Sequence, residues 1–121
     1  MKGRFDDKGN IIVKIIVAGR KDALELDVLF DTGCSGYLVL PISVAVPLGL
    51  ELIGTESVEY ADGRMVNELV FKAVVKAGGK PMTIPVTLSR TSQPLVGAKM
   101  FENHSIKIDF KNKKVEIKKV K

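Results

Sequence analysis

The chain has 121 residues, enough for one domain with a modest core, so a second subunit packed against it would add to its stability. Hydrophobic residues make up 45% and charged residues 27%, the balance of a soluble globular protein, and with no Trp and 6% aromatics the core must be mostly aliphatic. One Cys and one His exclude an intrachain disulfide and a four-ligand zinc centre, so no metal or cofactor is expected.

The net charge of +5 is unevenly placed. Residues 105–121 hold seven Lys against Asp109 and Glu116, so the first 104 residues carry twelve basic and twelve acidic side chains and balance to zero. A Lys-rich strand face kept in solvent explains this segment more simply than a nucleic-acid surface. Only Phe110 is interleaved with the lysines, which leaves no stacking platform for bases. The polar opening MKGRFDDKGN predicts no signal peptide, and the apolar runs are strand-length or broken by Gly and Pro, which predicts no transmembrane helix. The expectation is a cytoplasmic protein with no membrane partner.

In chain order, Asp7-Lys8-Gly9-Asn10 reads as a turn, Ile11 to Val17 as a β-branched strand, and Gly19 to Asp22 as its reversal. Leu24, Leu26, Val28 and Phe30 alternate with polar residues, the period of a half-buried strand. Asp31-Thr32-Gly33 and a small-residue loop follow, then an apolar run from Tyr37 to Leu40. Pro41 and Pro47 discourage a long helix between Ile42 and Leu50, leaving room for a helical turn. Val58 and Tyr60 lead into Ala61-Asp62-Gly63-Arg64, a hairpin signal because Gly supplies the positive φ of a tight turn. Met65 to Lys76 runs back out, and Gly78-Gly79 reverses the chain. Met82 to Ser89 alternates again, with Pro85 predicting an edge strand because it donates no ladder hydrogen bond. Ala98 to Glu102 predicts a short helix, and Ile106 to Ile117 a final hairpin turning near Asn112. Eight or more strands with short turns predict an all-β small closed barrel or sandwich over residues 1–121, with one short helix near 98–103.

The segment Leu29 to Gly36 is the most informative. A strand ends in an acid, and the small residues behind it let the backbone turn sharply. By itself Asp31-Thr32-Gly33 also fits a plain strand end with a turn. The apolar run before Asp31 and the run Cys-Ser-Gly-Tyr-Leu-Val-Leu-Pro after it resemble the active-site segment of the retropepsin-like aspartic proteases. In that family's order, Tyr60 to Met65 resembles the flap, and Pro94-Leu95-Val96-Gly97 with Ala98 to Glu102 resembles the closing hydrophobic-hydrophobic-Gly motif and its helix. The likeness spans about Ile11 to Phe110 and is nearest to the small single-domain cellular members.

This resemblance implies a homodimeric aspartic endopeptidase of retropepsin-like barrel type, acting on a peptide or unfolded protein substrate without a cofactor. Asp31, Thr32 and Gly33 would be catalytic: two Asp31 carboxylates share one proton across a two-fold axis, Thr32 bonds across it, and the Gly33 N–H reaches the carboxylate. Ala61, Asp62, Gly63, Leu95 and Gly97 would contact or frame the substrate, and Val39 and Val66 could line side-chain pockets. Cys34 stands where the family usually has Ala, Ser or Thr, and a thiol supports an ionised carboxylate less well than a hydroxyl. A cysteine-nucleophile reading has only His104 as a base, in a loop before the last hairpin. A non-catalytic dimeric barrel that binds a peptide, a partner protein or nucleic acid remains the alternative.

Overall fold

A computed structural model of the chain describes residues 1–120. Ten strands carry most of it: β1 Lys2–Phe5, β2 Ile11–Ala18, β3 Ala23–Phe30, β4 Leu38–Pro41, β5 Glu51–Glu59, β6 Met65–Lys76, β7 Met82–Ser89, β8 Leu95–Val96, β9 His104–Asp109 and β10 Lys114–Lys119. Their neighbour order is β5-β6-β7-β4-β8-β3-β2-β1-β10-β9, and a further pairing of β6 with β2 closes six of them, β6-β7-β4-β8-β3-β2, into a ring. The all-β ring is the expected architecture. β5 stands outside it as an extension of β6, and β1, β10 and β9 continue it beyond β2 as a three-stranded sheet.

The ring encloses the core because each strand turns one face inward. Val13, Ile15 and Val17 of β2 alternate with the exposed Lys14 and Ile16, and Val28 and Phe30 of β3 do the same at their end. Ala73 and Val75 of β6, Ile84 and Val86 of β7, Leu38 and Leu40 of β4 and Val96 of β8 complete an aliphatic cluster. No polar side chain is buried among the described residues, so the core carries no desolvated charge to compensate.

Two helical pieces flank the ring. The segment expected to hold only a turn forms an α-helix, α1, over Ile42–Leu48; Pro41 precedes it with φ −57° and Gly49 ends it in the left-handed region at φ 71°. Pro47 lies in its last turn, where it cuts the helix short rather than preventing it. The helix expected near 98–103 is a single 3₁₀ turn, Ala98–Phe101. No helix among the described residues is long and apolar enough to cross a membrane.

One further difference has a simple cause. β7 is not an edge strand: it pairs with β6 on one side and β4 on the other. Its ladder with β4 begins only at Val86, so Pro85 sits one residue before the point where a donor is needed. The lysines of the last hairpin point to solvent: Lys107, Lys111, Lys113, Lys114, Lys118 and Lys119 are exposed, while Val115 and Ile117 face inward. Lys121, the seventh, lies outside the described residues. The terminal strands are tied within the chain, β1 lying between β2 and β10, with the Met1 amino group donating to the Ile117 carbonyl at 2.8 Å.

The β2–β3 turn also caps α1. The N–H groups of Arg20 and Lys21 donate to the carbonyls of Gly49 and Leu48, both at 3.0 Å. A Cβ at Gly19 would meet the Leu48 carbonyl group, its carbon only 2.7 Å away, and backbone cannot move aside as a side-chain tip can. Gly19→Ala is therefore expected to cost about 1–3 kcal/mol, read as a lowered urea midpoint with an unchanged m-value.

Two loops are held by carboxylates. The backbone N–H of Asn10 donates to Asp6 at 2.8 Å, and that of Asn112 to Asp109 at 3.0 Å. These bonds hold both acids below the usual aspartate range. A folded-state value below the unfolded one adds stability above the unfolded value of about 3.9, and this is lost as pH falls through the lower folded value. Asp6→Asn combined with Asp109→Asn should flatten the fall of thermal midpoint below about pH 4, while the parent chain falls more steeply over the same range.

Candidate active site

Asp31 is the residue directly after β3, and it is fixed from two sides. β3 runs parallel to the two-residue β8, with Leu29 beside Leu95 and Phe30 beside Val96. The Leu29 N–H donates to the Pro94 carbonyl at 2.9 Å and the Asp31 N–H to the Val96 carbonyl at 3.0 Å. On the far side the loop folds back: the Gly33 N–H donates to Asp31 Oδ1 at 2.9 Å and the Cys34 N–H to the Asp31 carbonyl at 3.1 Å. As a residue Asp31 is half-buried, whereas Thr32 and Gly33 are exposed.

The loop rests on the residues that follow β8. The N–H groups of Gly97, Ala98 and Lys99 donate to the carbonyls of Tyr37, Cys34 and Gly36 at 2.7, 2.9 and 3.2 Å. A side chain at Gly97 has no room: its Cβ would meet the Gly36 carbonyl oxygen, lie 2.8 Å from the Cys34 carbonyl oxygen and 2.9 Å from Cys34 Sγ. This places the Cys34 sulfur against Gly97. Among the described residues it makes no hydrogen bond to the Asp31 carboxylate. His104 is engaged elsewhere, its Nδ1 2.9 Å from the Glu102 carbonyl and its ring edge-on to Phe101. No Cys–His pair forms, and no cluster of three metal-ligating side chains exists among the described residues.

A groove of about 540 Å³ opens beside this loop. Cys34, Ser35 and Gly36 of the loop line it, together with Val39, Pro85 and Thr87 and, from the β5–β6 hairpin, Glu56, Val58, Glu59, Glu68 and Val70. The hairpin turns at Tyr60–Arg64, where the Tyr60 N–H donates to the Arg64 carbonyl at 2.8 Å and Gly63 has φ 85°. Asp62 stiffens the turn by accepting from the Arg64 N–H at 3.0 Å and from Arg64 Nε at 2.9 Å. Behind the tip, the Tyr60 hydroxyl donates to Glu68 Oε1 at 2.7 Å, and that carboxylate holds the phenol above its ordinary range.

The folded chain therefore brings Asp31, Gly33 and Gly97 into one hydrogen-bonded unit, with Leu95 paired to both Leu29 and Val39. None of these four lines the groove; Ala61, Asp62 and Gly63 lie at the exposed hairpin tip, likewise outside its lining, and Thr32 is exposed. Sequence reasoning passed over Glu56, Val58, Glu59, Glu68 and Val70, which line the groove. Val66, Glu68 and Val70 do share one face by two-residue alternation, but only the strand register puts Glu56 opposite Glu68.

No protein-family model and no curated protein matches the chain. Solved structures do. A retropepsin-like aspartic protease from Rickettsia conorii superposes with a TM-score of 0.71 at 16% identity, over 98% of this chain and 90% of that one. The fold is retropepsin-like. The protease of simian foamy virus (mac) superposes with a TM-score of 0.56 at 15% identity, over 75% of this chain and 91% of that one. At such identities the retropepsin-like fold is what is shared, and the chemistry rests on the residues themselves.

Because Gly97 meets backbone oxygens, Gly97→Ala should push the Asp31 loop outward. The expected result is about 1–3 kcal/mol lost in urea unfolding, with the largest amide chemical-shift changes at Cys34, Gly36 and Ala98.

Proposed function

We propose that the chain is a single-domain aspartic endopeptidase that works as a homodimer. The observation that carries this reading is the fixed Asp31 carboxylate, bonded by the Gly33 N–H just after β3 in a retropepsin-like fold, at the head of the loop whose Cys34, Ser35 and Gly36 line the groove. One chain offers one such carboxylate, so a dyad needs a second copy, and the exposed Thr32 beside it is free to meet that copy.

The chemistry follows from two like charges brought close. They cannot both ionise cheaply, so the pair holds one proton between them. The ionised carboxylate takes a proton from a bound water as its oxygen attacks the scissile carbonyl carbon. The protonated carboxyl donates to the carbonyl oxygen and stabilises the tetrahedral intermediate. Return of a proton to the leaving nitrogen breaks the C–N bond and releases an acid and an amine. In this reading the β5–β6 hairpin acts as a flap over an extended peptide, which pairs with strand-like main-chain hydrogen bonds. The Gly33 N–H favours the ionised form of its carboxylate, and the small residues behind it keep the loop narrow enough for two copies to approach.

The Lys-rich hairpin adds little to a nucleic-acid reading. Lys2, Lys107, Lys114 and Lys118 share the outer face of β1, β9 and β10 with Asp109 and Glu116, and Lys118 lies 3.6 Å from Glu116. Mixed signs of this kind give a solvated face rather than a track for phosphates.

Asp31→Asn is expected to lower cleavage of an unfolded protein under mildly acidic conditions by at least about 10²- to 10⁴-fold with the fold intact. Sedimentation of the parent chain should show a dimer, and a statine-type peptide should inhibit it. Undiminished cleavage by the Asn variant, or a strictly monomeric active enzyme, overturns the reading. Unchanged peptide affinity in a chain that never cleaves would mark a binding module instead.

A further inference from the structure

The groove beside the Asp31 loop has an acidic wall that the reaction itself does not use. Glu56 and Glu68 are direct cross-strand partners in the β5–β6 hairpin, and both line the groove together with Glu59. Like charges placed directly opposite each other destabilise a strand pair, so this arrangement is kept against a cost. No Lys or Arg lies within 4.0 Å of any of the three among the described residues, although the same limit finds cations beside Glu25, Asp27, Glu51, Asp62 and Glu116. Lys99 also lines the groove, yet its ammonium makes no ion pair with any of the three. Tyr60 holds Glu68 in place through a 2.7 Å bond while itself standing outside the groove lining. Val39, Val58 and Val70 leave an apolar surface along the same space. An aliphatic stem that ends in a positive charge satisfies both parts: the stem covers the valines and the charge meets the glutamates.

We infer that this groove is a side-chain subsite selecting a Lys or Arg residue of the substrate near the scissile bond, with Glu56 and Glu68 as its specificity-determining residues. The inference rests on the peptidase reading, since it names the substrate class of that same site. Removing either glutamate relieves a like-charge pair, so the variants should fold at least as well as the parent. Tyr60 acts as a positioning residue through Glu68.

The test uses the full chain and peptides that differ at one position, carrying Lys, norleucine or Glu at each of the four residues on either side of the scissile bond. For the parent, at least one position should give a kcat/KM about 3- to 10-fold higher with Lys than with norleucine, and the ratio should shrink as salt is raised. Glu56→Gln with Glu68→Gln should bring that ratio to about one, and Glu56→Lys should turn the preference toward Glu. Tyr60→Phe should narrow the ratio through KM, not kcat. Cleavage that is indifferent to Lys at every position, or a Lys preference untouched by the glutamate variants, overturns the inference and leaves the peptidase reading standing. If no peptide is cleaved, the peptidase reading fails. Fluorescence anisotropy of the same peptides then decides the subsite: Lys-selective binding lost in the double Gln variant upholds it, and equal binding of Lys and norleucine peptides overturns it.

Discussion

Gly97 sits where two stretches of backbone meet with no space between them. Its N–H is bound to the Tyr37 carbonyl, and the carbonyl oxygens of Cys34 and Gly36 occupy the volume that any side chain would need. This contact lets β8, only two residues long, lie between β3 and β4 and close the ring. It also sets the height of the Asp31 loop, because the N–H groups of Ala98 and Lys99 bind that loop's carbonyls in the next two steps. Cys34 and Gly36, which line the groove, are held by this approach, and Asp31 stands at the head of the same loop.

Around that contact the molecule separates its tasks. The ring interior is aliphatic and without buried polar side chains, which gives a rigid frame with no internal charge to satisfy. Charge is sorted on the outside. Lys14 faces Glu25 and Asp27 across β2 and β3, and Lys72 with Arg20 faces Glu51. These exposed pairs add little to stability, but they neutralise acids wherever a cation is near. The hairpin side of the groove is different, since none of its glutamates has a Lys or Arg within 4.0 Å among the described residues. The terminal strands are paired to each other inside the chain.

Much of this was legible in the sequence where local signals agreed. β6 runs over Met65–Lys76 as read, because alternation, Asp62-Gly63 before it and Gly78-Gly79 after it all point the same way. β5 was harder: most of Glu51–Glu59 is exposed, so no buried period marks it, and it exists by pairing with β6. β1 is four residues long and held by β2 and β10, the latter more than a hundred positions away. α1 forms despite two prolines because one lies before it and the other in its final turn. Pro85 pointed to an edge strand because the ladder it would disrupt begins one residue later, a detail of register that composition does not contain.

The amino-acid order by itself determined the strand periods, the tight turns at glycine and the placing of an acid followed by small residues at a strand end. Those are properties of neighbours along the chain, and backbone sterics and burial act on them directly. Only the tertiary structure decided that Gly97 underlies Cys34 and Gly36, that Glu56 stands across from Glu68, and that the groove lies behind the hairpin tip instead of at it. Each of those facts is a meeting of segments distant in sequence or set by register, and a shift of one residue would turn the side chains to the other face.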